Sequence, residues 1–289
     1  MISRQIEESR KAEPREPLRV AVLGAGQLGR SILAGLARSP AREAIELAAT
    51  TRRPSDLGPD VWAASLEDDA RANQTLAAWA DVVVLAVRPA QTMPLAAEIA
   101  HDVQPGAVVV PLAIGVSAAD LERAFPPSVD VVRAMPNLPV ELGLGVTGLS
   151  PGTHASPGGA ALARDLFELV GTVVDVPEDR LDVLAMVSGA GPAYAYFLLE
   201  ELAAATRGLG FDDAVASTLV RETFHGALAL LDASGRAASA LLGEIASPGS
   251  ATERAIAVLE EGALASLSER AMRAAVARSV ELRDAIRHA

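Results

Sequence analysis

The chain has 289 residues, one lysine, 58 alanines, no cysteine and a formal net charge of −12. At about 150 residues per domain, this length predicts two domains, with enough chain for cores that need no disulfide or metal. The lack of cysteine excludes disulfides, thiolate metal sites and cysteine nucleophiles, and the negative charge disfavours nucleic-acid binding through the overall field.

The N-terminal segment, residues 1–17, carries four basic and four acidic side chains and little that is apolar, which predicts a disordered tail. The only lysine, Lys11, lies in this tail, so the folded part cannot use a lysine as a Schiff base or proton donor. No apolar stretch typical of a secretion signal precedes the first strand. The longest uncharged run, 183–199, is too short and too interrupted to span a membrane. We therefore expect a cytoplasmic protein with no membrane partner.

Strands and helices alternate over residues 18–177. Short apolar runs predict strands at 18–23, 45–50, 81–87, 107–112 and 129–134, with weaker ones at 145–149 and 172–176. Helical patterns lie between them, through residue 37 and at 70–79, 93–101, 117–125 and 158–170. This alternation predicts an α/β domain whose parallel sheet is covered on both faces.

Residues 178–289 are almost entirely helical in pattern. The predicted helices are 178–187, 192–208, 212–232, 237–245, 251–261 and 263–287. Many of their faces consist of alanine, which has the best helix propensity and lets helices approach closely. A helical half of this kind is expected to pack across a subunit interface, as in a homodimer.

A glycine motif follows the first predicted strand and opens a helix: Gly24-Ala25-Gly26-Gln27-Leu28-Gly29. In a dinucleotide site the first glycine makes the tight turn, the second leaves room for the pyrophosphate, and the third lets helix and strand pack closely. The position of the motif at the start of an α/β domain favours dinucleotide binding over a purely structural turn.

The end of the second predicted strand indicates which dinucleotide binds. Thr51, Arg52 and Arg53 stand where an NAD-binding protein carries an acidic residue, and the first acid is Asp56. Guanidinium groups suit a 2′-phosphate, so we expect NADP(H), with NAD(H) as the alternative if these arginines are only a solvated loop. Three further candidates close the 81–87 strand at the ligand edge of the sheet: Val87, Arg88 and Pro89. For Arg88, contact with the cofactor and a plain surface position are equal alternatives.

Two other segments are unusual for loops. Met135, Pro136 and Asn137 end a predicted strand, and 247–252 (SPGSAT) precedes an apolar helix. A cluster of serine, threonine and glycine at a helix start presents free backbone N–H groups and can bind a carboxylate, although for this segment alone an ordinary helix cap is the better explanation. The sequence holds no metal-ligand cluster of recognisable spacing.

Together these segments resemble the pyrroline-5-carboxylate reductase family. The resemblance covers about residues 18–285 and rests on GAGQLG, DVVVLAVRP, VRAMPNLP, SGAGPAY at 188–194 and SPGSAT. It implies a Rossmann-type N-terminal domain with a parallel sheet, then an all-α C-terminal dimerisation domain over 178–289, in a homodimer or a higher assembly such as a decamer. It also implies reduction of the cyclic imine 1-pyrroline-5-carboxylate to L-proline by NAD(P)H.

The resemblance assigns roles to single residues. Thr252 matches the hydroxyl that contacts the substrate nitrogen, and Met135, Pro136 and Asn137 match the segment near the nicotinamide. The loop that holds the substrate carboxylate corresponds to Ser247, Gly249, Ser250 and Ala251. Three positions depart from the usual family pattern: Leu138, Ala190 and Ser250. These departures leave open a reductase of another cyclic imine, or a non-catalytic NADP-binding regulatory protein.

Overall fold

The computed structural model describes residues 16–287, so the predicted tail lies outside the described residues except for Glu16 and Pro17. The chain forms two compact units. The first runs to Gly189 and resumes at Arg278, and the second is Ala190–Ala277. The boundary expected at residue 177 falls inside the first unit, just before a helix that begins at Glu178.

The first unit contains an eight-stranded sheet. Its strands are β1 (Leu18–Leu23), β2 (Ile45–Thr51), β3 (Val61–Ser65), β4 (Val82–Leu85), β5 (Val108–Pro111), β6 (Asp130–Met135), β7 (Gly145–Pro151) and β8 (Gly171–Asp175). Its complete helices are α1 (Gln27–Ala37), α2 (Ala72–Trp79), α3 (Pro89–Ile99), α4 (Ala118–Ala124), α5 (Pro157–Glu168) and α6 (Glu178–Leu184).

The strand order is β3-β2-β1-β4-β5-β6-β7-β8, and the first six strands in this order run parallel. Val20 on β1 pairs with Leu47 on β2 and with Val82 on β4. The central strands are buried on both faces because helices cover both sides. One face packs against α1 and α5, and the other packs against α2, α3 and α4. The predicted parallel sheet is confirmed over these strands.

The edges of the sheet differ from the predicted pattern. Strand β7 runs antiparallel to β6, because the link over residues 136–144 is too short for the crossover that a parallel neighbour needs. Strand β3 was not predicted. It is an edge strand whose apolar run at 61–64 is short, half alanine and without polar alternation, so it gives only a weak strand signal. Its Trp62 is half exposed and meets Trp79 edge to face at 5.7 Å.

A π-helical turn, Ala185–Gly189, follows α6. It is the last element of the first unit before the chain enters the second unit at Ala190. The remaining helices are α7 (Gly191–Gly208), α8 (Asp213–Ser234), α9 (Ala238–Ile245), α10 (Ala251–Glu261) and α11 (Leu264–Arg287), the last of which enters both units. These bounds agree closely with the predicted helices. By length and composition alone, Glu178–Gly208 is the one described helical stretch that could cross a membrane.

Most apolar side chains of the second unit are exposed to solvent. Within the described residues it buries only two apolar side chains, Ala203 and Ala216. Tyr196 and Phe197 are about two-thirds exposed, and Leu209 is 80% exposed. A soluble monomer rarely exposes apolar surface on this scale, so the helices are built to be covered by another chain.

Candidate active site

The turn after β1 is held by the end of β2. Gly24 has φ of +82°, a left-handed conformation that favours glycine. Its N–H donates to the Thr50 hydroxyl at 2.9 Å, and the N–H of Ala25 donates to the Thr50 carbonyl at 2.8 Å. A Cβ on Gly24 would lie 2.3 Å from Cγ1 of Val87, so this position also has no room for a side chain.

Gly26 is the residue that precedes α1, and it faces open space. A Cβ built there has the Gly24 carbonyl oxygen, 4.0 Å away, as its nearest neighbour. The first turn of α1 holds no acidic side chain, and no side chain caps it. The free N–H groups and the positive end of the helix dipole are therefore left for an anion.

Gly29 is buried where α1 crosses the sheet. A Cβ on it would lie 3.1 Å from Val22 Cγ1 and 3.2 Å from Ala86 Cβ, which is closer than ordinary packing. The three glycines thus have three different environments: a left-handed turn, an open space and a tight helix–strand contact. These are the environments that a dinucleotide turn requires.

A cleft of about 840 Å³ opens at this turn. It brings together most of the predicted cofactor residues, namely Gly24, Gly26, Gln27, Thr51, Arg52, Arg53, Val87 and Arg88. Three others, Leu28, Gly29 and Pro89, do not line it. Gly29 instead supports α1 against the sheet, and Pro89 occupies the first turn of α3.

The three residues predicted to bind a 2′-phosphate, Thr51, Arg52 and Arg53, differ in exposure and in hydrogen bonding. The Thr51 hydroxyl donates to the Arg53 carbonyl at 2.7 Å, and Thr51 is buried, so its side chain shapes the turn. The side chains of Arg52 and Arg53 are exposed, and neither forms an ion pair with another described residue. The cleft therefore presents two unneutralised guanidinium groups at the end of β2.

Sequence reasoning missed several residues of the same cleft. Arg30 lines it and donates to the Asp56 carbonyl at 3.3 Å. Asn73 is buried, and its side-chain amide donates to Glu98 at 3.2 Å. Arg30 lies on α1, while Asn73 and Glu98 lie on α2 and α3, far from the glycine motif in sequence, and only the fold brings the three together. The Arg30 position directly after the motif was the one available signal.

The segment after β6 is held more firmly than a loop. Asn137 accepts from the Val146 N–H at 2.8 Å and donates to the Ser188 carbonyl at 3.1 Å. Its amide thus links the ends of β6 and β7 to the π-helical turn. Met135 and Pro136 are buried beside it. None of the three lines the cleft at the glycine turn.

A buried arginine, Arg133, holds α6 against the end of the sheet. Arg133 is 4% exposed and donates to Glu178 at 3.1 Å and to the Ala113 carbonyl at 3.2 Å, with Asp182 at 3.5 Å. Glu178 also accepts from the Ala118 N–H at 2.6 Å. Two carboxylates of α6 and one guanidinium therefore tie α6 to the carboxyl edge of the sheet, where ligands of such folds bind.

The loop 247–252 lies in the second unit and leads into α10. Ser250 caps this helix, because its hydroxyl accepts from the Glu253 N–H at 3.0 Å. Ser247 accepts from the Ser250 N–H at 3.0 Å through its carbonyl. Gly249 has φ of +80° and donates its N–H to the Glu253 carboxylate at 2.7 Å. Ala251 and Thr252 begin the helix, with Thr252 partly buried.

Comparison with known proteins adds family relationships. The family described as pyrroline-5-carboxylate reductase dimerisation matches residues 178–282, and the one described as NADP oxidoreductase, coenzyme F420-dependent, matches 19–115. The pyrroline-5-carboxylate reductase of Mycobacterium tuberculosis is 33% identical over 92% of this chain and 97% of its own length. That of Synechocystis is 32% identical over 92% and 98%.

Solved structures show the same fold. A pyrroline-5-carboxylate reductase from Coxiella burnetii superposes with a TM-score of 0.79 at 32% identity, covering 91% of this chain and 97% of that one. The Plasmodium falciparum pyrroline carboxylate reductase, solved with NADP bound, has a TM-score of 0.78 at 24% identity, covering 92% and 98%. At 24% identity, the likeness to the Plasmodium falciparum protein shows a common fold only.

Proposed function

The chain belongs to the pyrroline-5-carboxylate reductase family, and on that premise we propose that it reduces 1-pyrroline-5-carboxylate to L-proline with NADPH. This is the last step of proline biosynthesis. The observation that carries the proposal is the cleft at the glycine turn, with two free guanidinium groups at its β2 side. When bound there, NADPH supplies the hydride for the imine carbon.

The residues of the cleft fit this cofactor. Gly26 leaves open the space that a pyrophosphate takes, and the uncapped start of α1 offers N–H donors to it. Arg52 and Arg53 suit the 2′-phosphate, because guanidinium groups bind phosphate with two parallel hydrogen bonds. NADP(H) is therefore the preferred cofactor, because NAD(H) lacks the 2′-phosphate that these arginines bind.

The loop 247–252 is the proposed substrate site. Its residues Ser247, Gly249, Ser250 and Ala251 hold the substrate carboxylate, with the Gly249 N–H among the donors. The Thr252 hydroxyl makes a hydrogen bond to the ring nitrogen. The iminium nitrogen carries its own proton, so the chain needs to orient the ring more than to protonate it. A site without lysine or cysteine suits such a reaction.

The helical unit makes this protein a homo-oligomer, as its family match and its exposed apolar side chains agree. We propose a dimer formed through this unit as the basic assembly, with further association into a decamer as the larger form. We also propose that the enzyme works in the cytoplasm.

Oxidation of NADPH with a panel of imines tests the proposal. We expect turnover with 1-pyrroline-5-carboxylate to exceed turnover with 1-pyrroline-2-carboxylate and with piperideine carboxylates. Faster turnover of another imine would reassign the substrate. NADPH binding without turnover of any imine would indicate a regulatory protein on the same fold.

Thr252→Val tests the role of the hydroxyl. Valine keeps the shape of threonine and removes the hydrogen bond, so kcat falls about tenfold or more while the Kd for NADPH stays within about twofold. Stopped-flow turnover and fluorescence titration of NADPH measure the two quantities. Full turnover in this variant removes Thr252 from the mechanism.

A further inference from the structure

The proposed carboxylate loop already binds a carboxylate from its own chain. Oε2 of Glu253 accepts from the Gly249 N–H at 2.7 Å, while the Glu253 N–H donates to the Ser250 hydroxyl at 3.0 Å. This resembles a capping box, except that the glutamate accepts from the N–H one residue before the Ser250 cap. Here the glutamate reaches the donor that the proposed function reserves for the substrate.

Glu253 is free to leave this position. Its side chain is exposed, and among the described residues no arginine or histidine pairs with it. The adjacent Arg254 is directed to Glu261, at 3.6 Å. A carboxylate that approaches Gly249 therefore meets a like charge that no ion pair offsets among the described residues, and must displace a charge-assisted hydrogen bond.

We propose that Glu253 competes with the substrate carboxylate for the Gly249 N–H and thereby weakens the enzyme's preference for carboxylated over uncarboxylated cyclic imines. This rests on the proposed function of the 247–252 loop. In the substrate complex the glutamate is displaced from Gly249, and the loop keeps its Ser250 cap. Glu253 is thus a specificity-determining residue for the reaction and takes no part in hydride or proton transfer.

The test compares 1-pyrroline-5-carboxylate with 1-pyrroline, the same ring without the carboxylate. The ratio of their kcat/KM values is measured in the wild type, in Glu253→Gln and in Glu253→Ala. The ratio is expected to rise about fivefold or more in Glu253→Ala through a lower KM for the carboxylated imine. Glu253→Gln removes the charge and keeps an acceptor, so its ratio lies between those of the wild type and Glu253→Ala.

The control is Glu260→Gln, which removes the same charge from an exposed position on α10. Its ratio stays within about twofold of the wild type if direct contact, rather than general charge, is responsible. A change in helix stability alone affects both imines equally and cancels in the ratio. An unchanged ratio in both Glu253 variants, or an equal rise in the control, overturns this inference alone. A wild type that turns over neither imine overturns the proposed function, and this inference with it.

Discussion

Replacing Gly26 with alanine separates cofactor binding from folding. Gly26 has φ of −74° and ψ of −157°, an extended backbone that alanine adopts, and its Cβ would meet nothing closer than 4.0 Å. Replacing glycine by alanine at the helix cap destabilises the fold by about 0.5–1.5 kcal/mol. The lower conformational entropy of the unfolded alanine variant offsets about 0.4–1 kcal/mol of this loss. The free energy of unfolding is therefore expected to change by less than about 1 kcal/mol.

The added methyl group would stand in the space assigned to the pyrophosphate. Losing one charge-assisted hydrogen bond from a backbone N–H costs about 1.5–3 kcal/mol, which raises the Kd for NADPH by about 10-fold to 150-fold. Fluorescence titration of NADPH and urea denaturation of the same samples give the two quantities. A Gly26→Ala protein that binds NADPH within about threefold of the wild type would refute the placement of the cofactor.

Gly24→Ala is the matched control, because it adds the same methyl group two residues earlier. Its φ of +82° costs about 1–2 kcal/mol for alanine, and the overlap with Val87 costs about 1–3 kcal/mol more. This variant is expected to lose about 2–5 kcal/mol of stability. Equal denaturation curves for the two variants would contradict the environments assigned to the two glycines.

Three further predictions follow from the remaining contacts. Arg52→Ala with Arg53→Ala is expected to raise the KM for NADPH about tenfold or more and to leave that for NADH within about twofold, and equal effects would reject the 2′-phosphate assignment. Arg133→Met is expected to cost about 2–4 kcal/mol in urea denaturation, because it removes a buried guanidinium and its ion pair with Glu178. Arg164→Met, at a partly exposed ion pair, is expected to cost less than about 1 kcal/mol, and equal losses would contradict this. A hydrogen bond from the Ser117 hydroxyl, and then Arg123, hold the pKa of Asp120 below its usual range, so its contribution to stability is present above the unfolded pKa and is lost as pH falls through the folded one. Ser117→Ala is expected to raise that pKa in an NMR titration, and an unchanged value would count against this cause.

Local patterns were enough to predict the central fold. Strands β4 and β5 lie in continuous apolar runs, and β1 is continuously apolar after Arg19, a pattern typical of strands in a sheet that is covered on both faces. The glycine motif predicts a dinucleotide turn at residues 24–29. Helices α7 to α11 were predicted closely because glycine and proline mark their ends. Strand β3 was missed because an exposed edge strand carries no strong periodic signal.

The contacts that could not be predicted join residues far apart in the sequence. Arg133 meets Glu178 across 45 positions of sequence, and Asn137 meets Ser188 across 51. No local pattern records such pairs. The place of Asn137 near the nicotinamide stays a prediction, and the sequence carries no sign of the two hydrogen bonds by which its amide joins two loops. The contact of Glu253 with Gly249 spans only four residues, and a serine three positions before a glutamate is a recognised capping signal.

The most direct test is to incubate the purified protein with NADPH and 1-pyrroline-5-carboxylate, and to measure NADPH consumption and L-proline formation together. We expect one L-proline to form for each NADPH oxidised, at a higher kcat/KM than with NADH. NADPH binding without L-proline formation would contradict it.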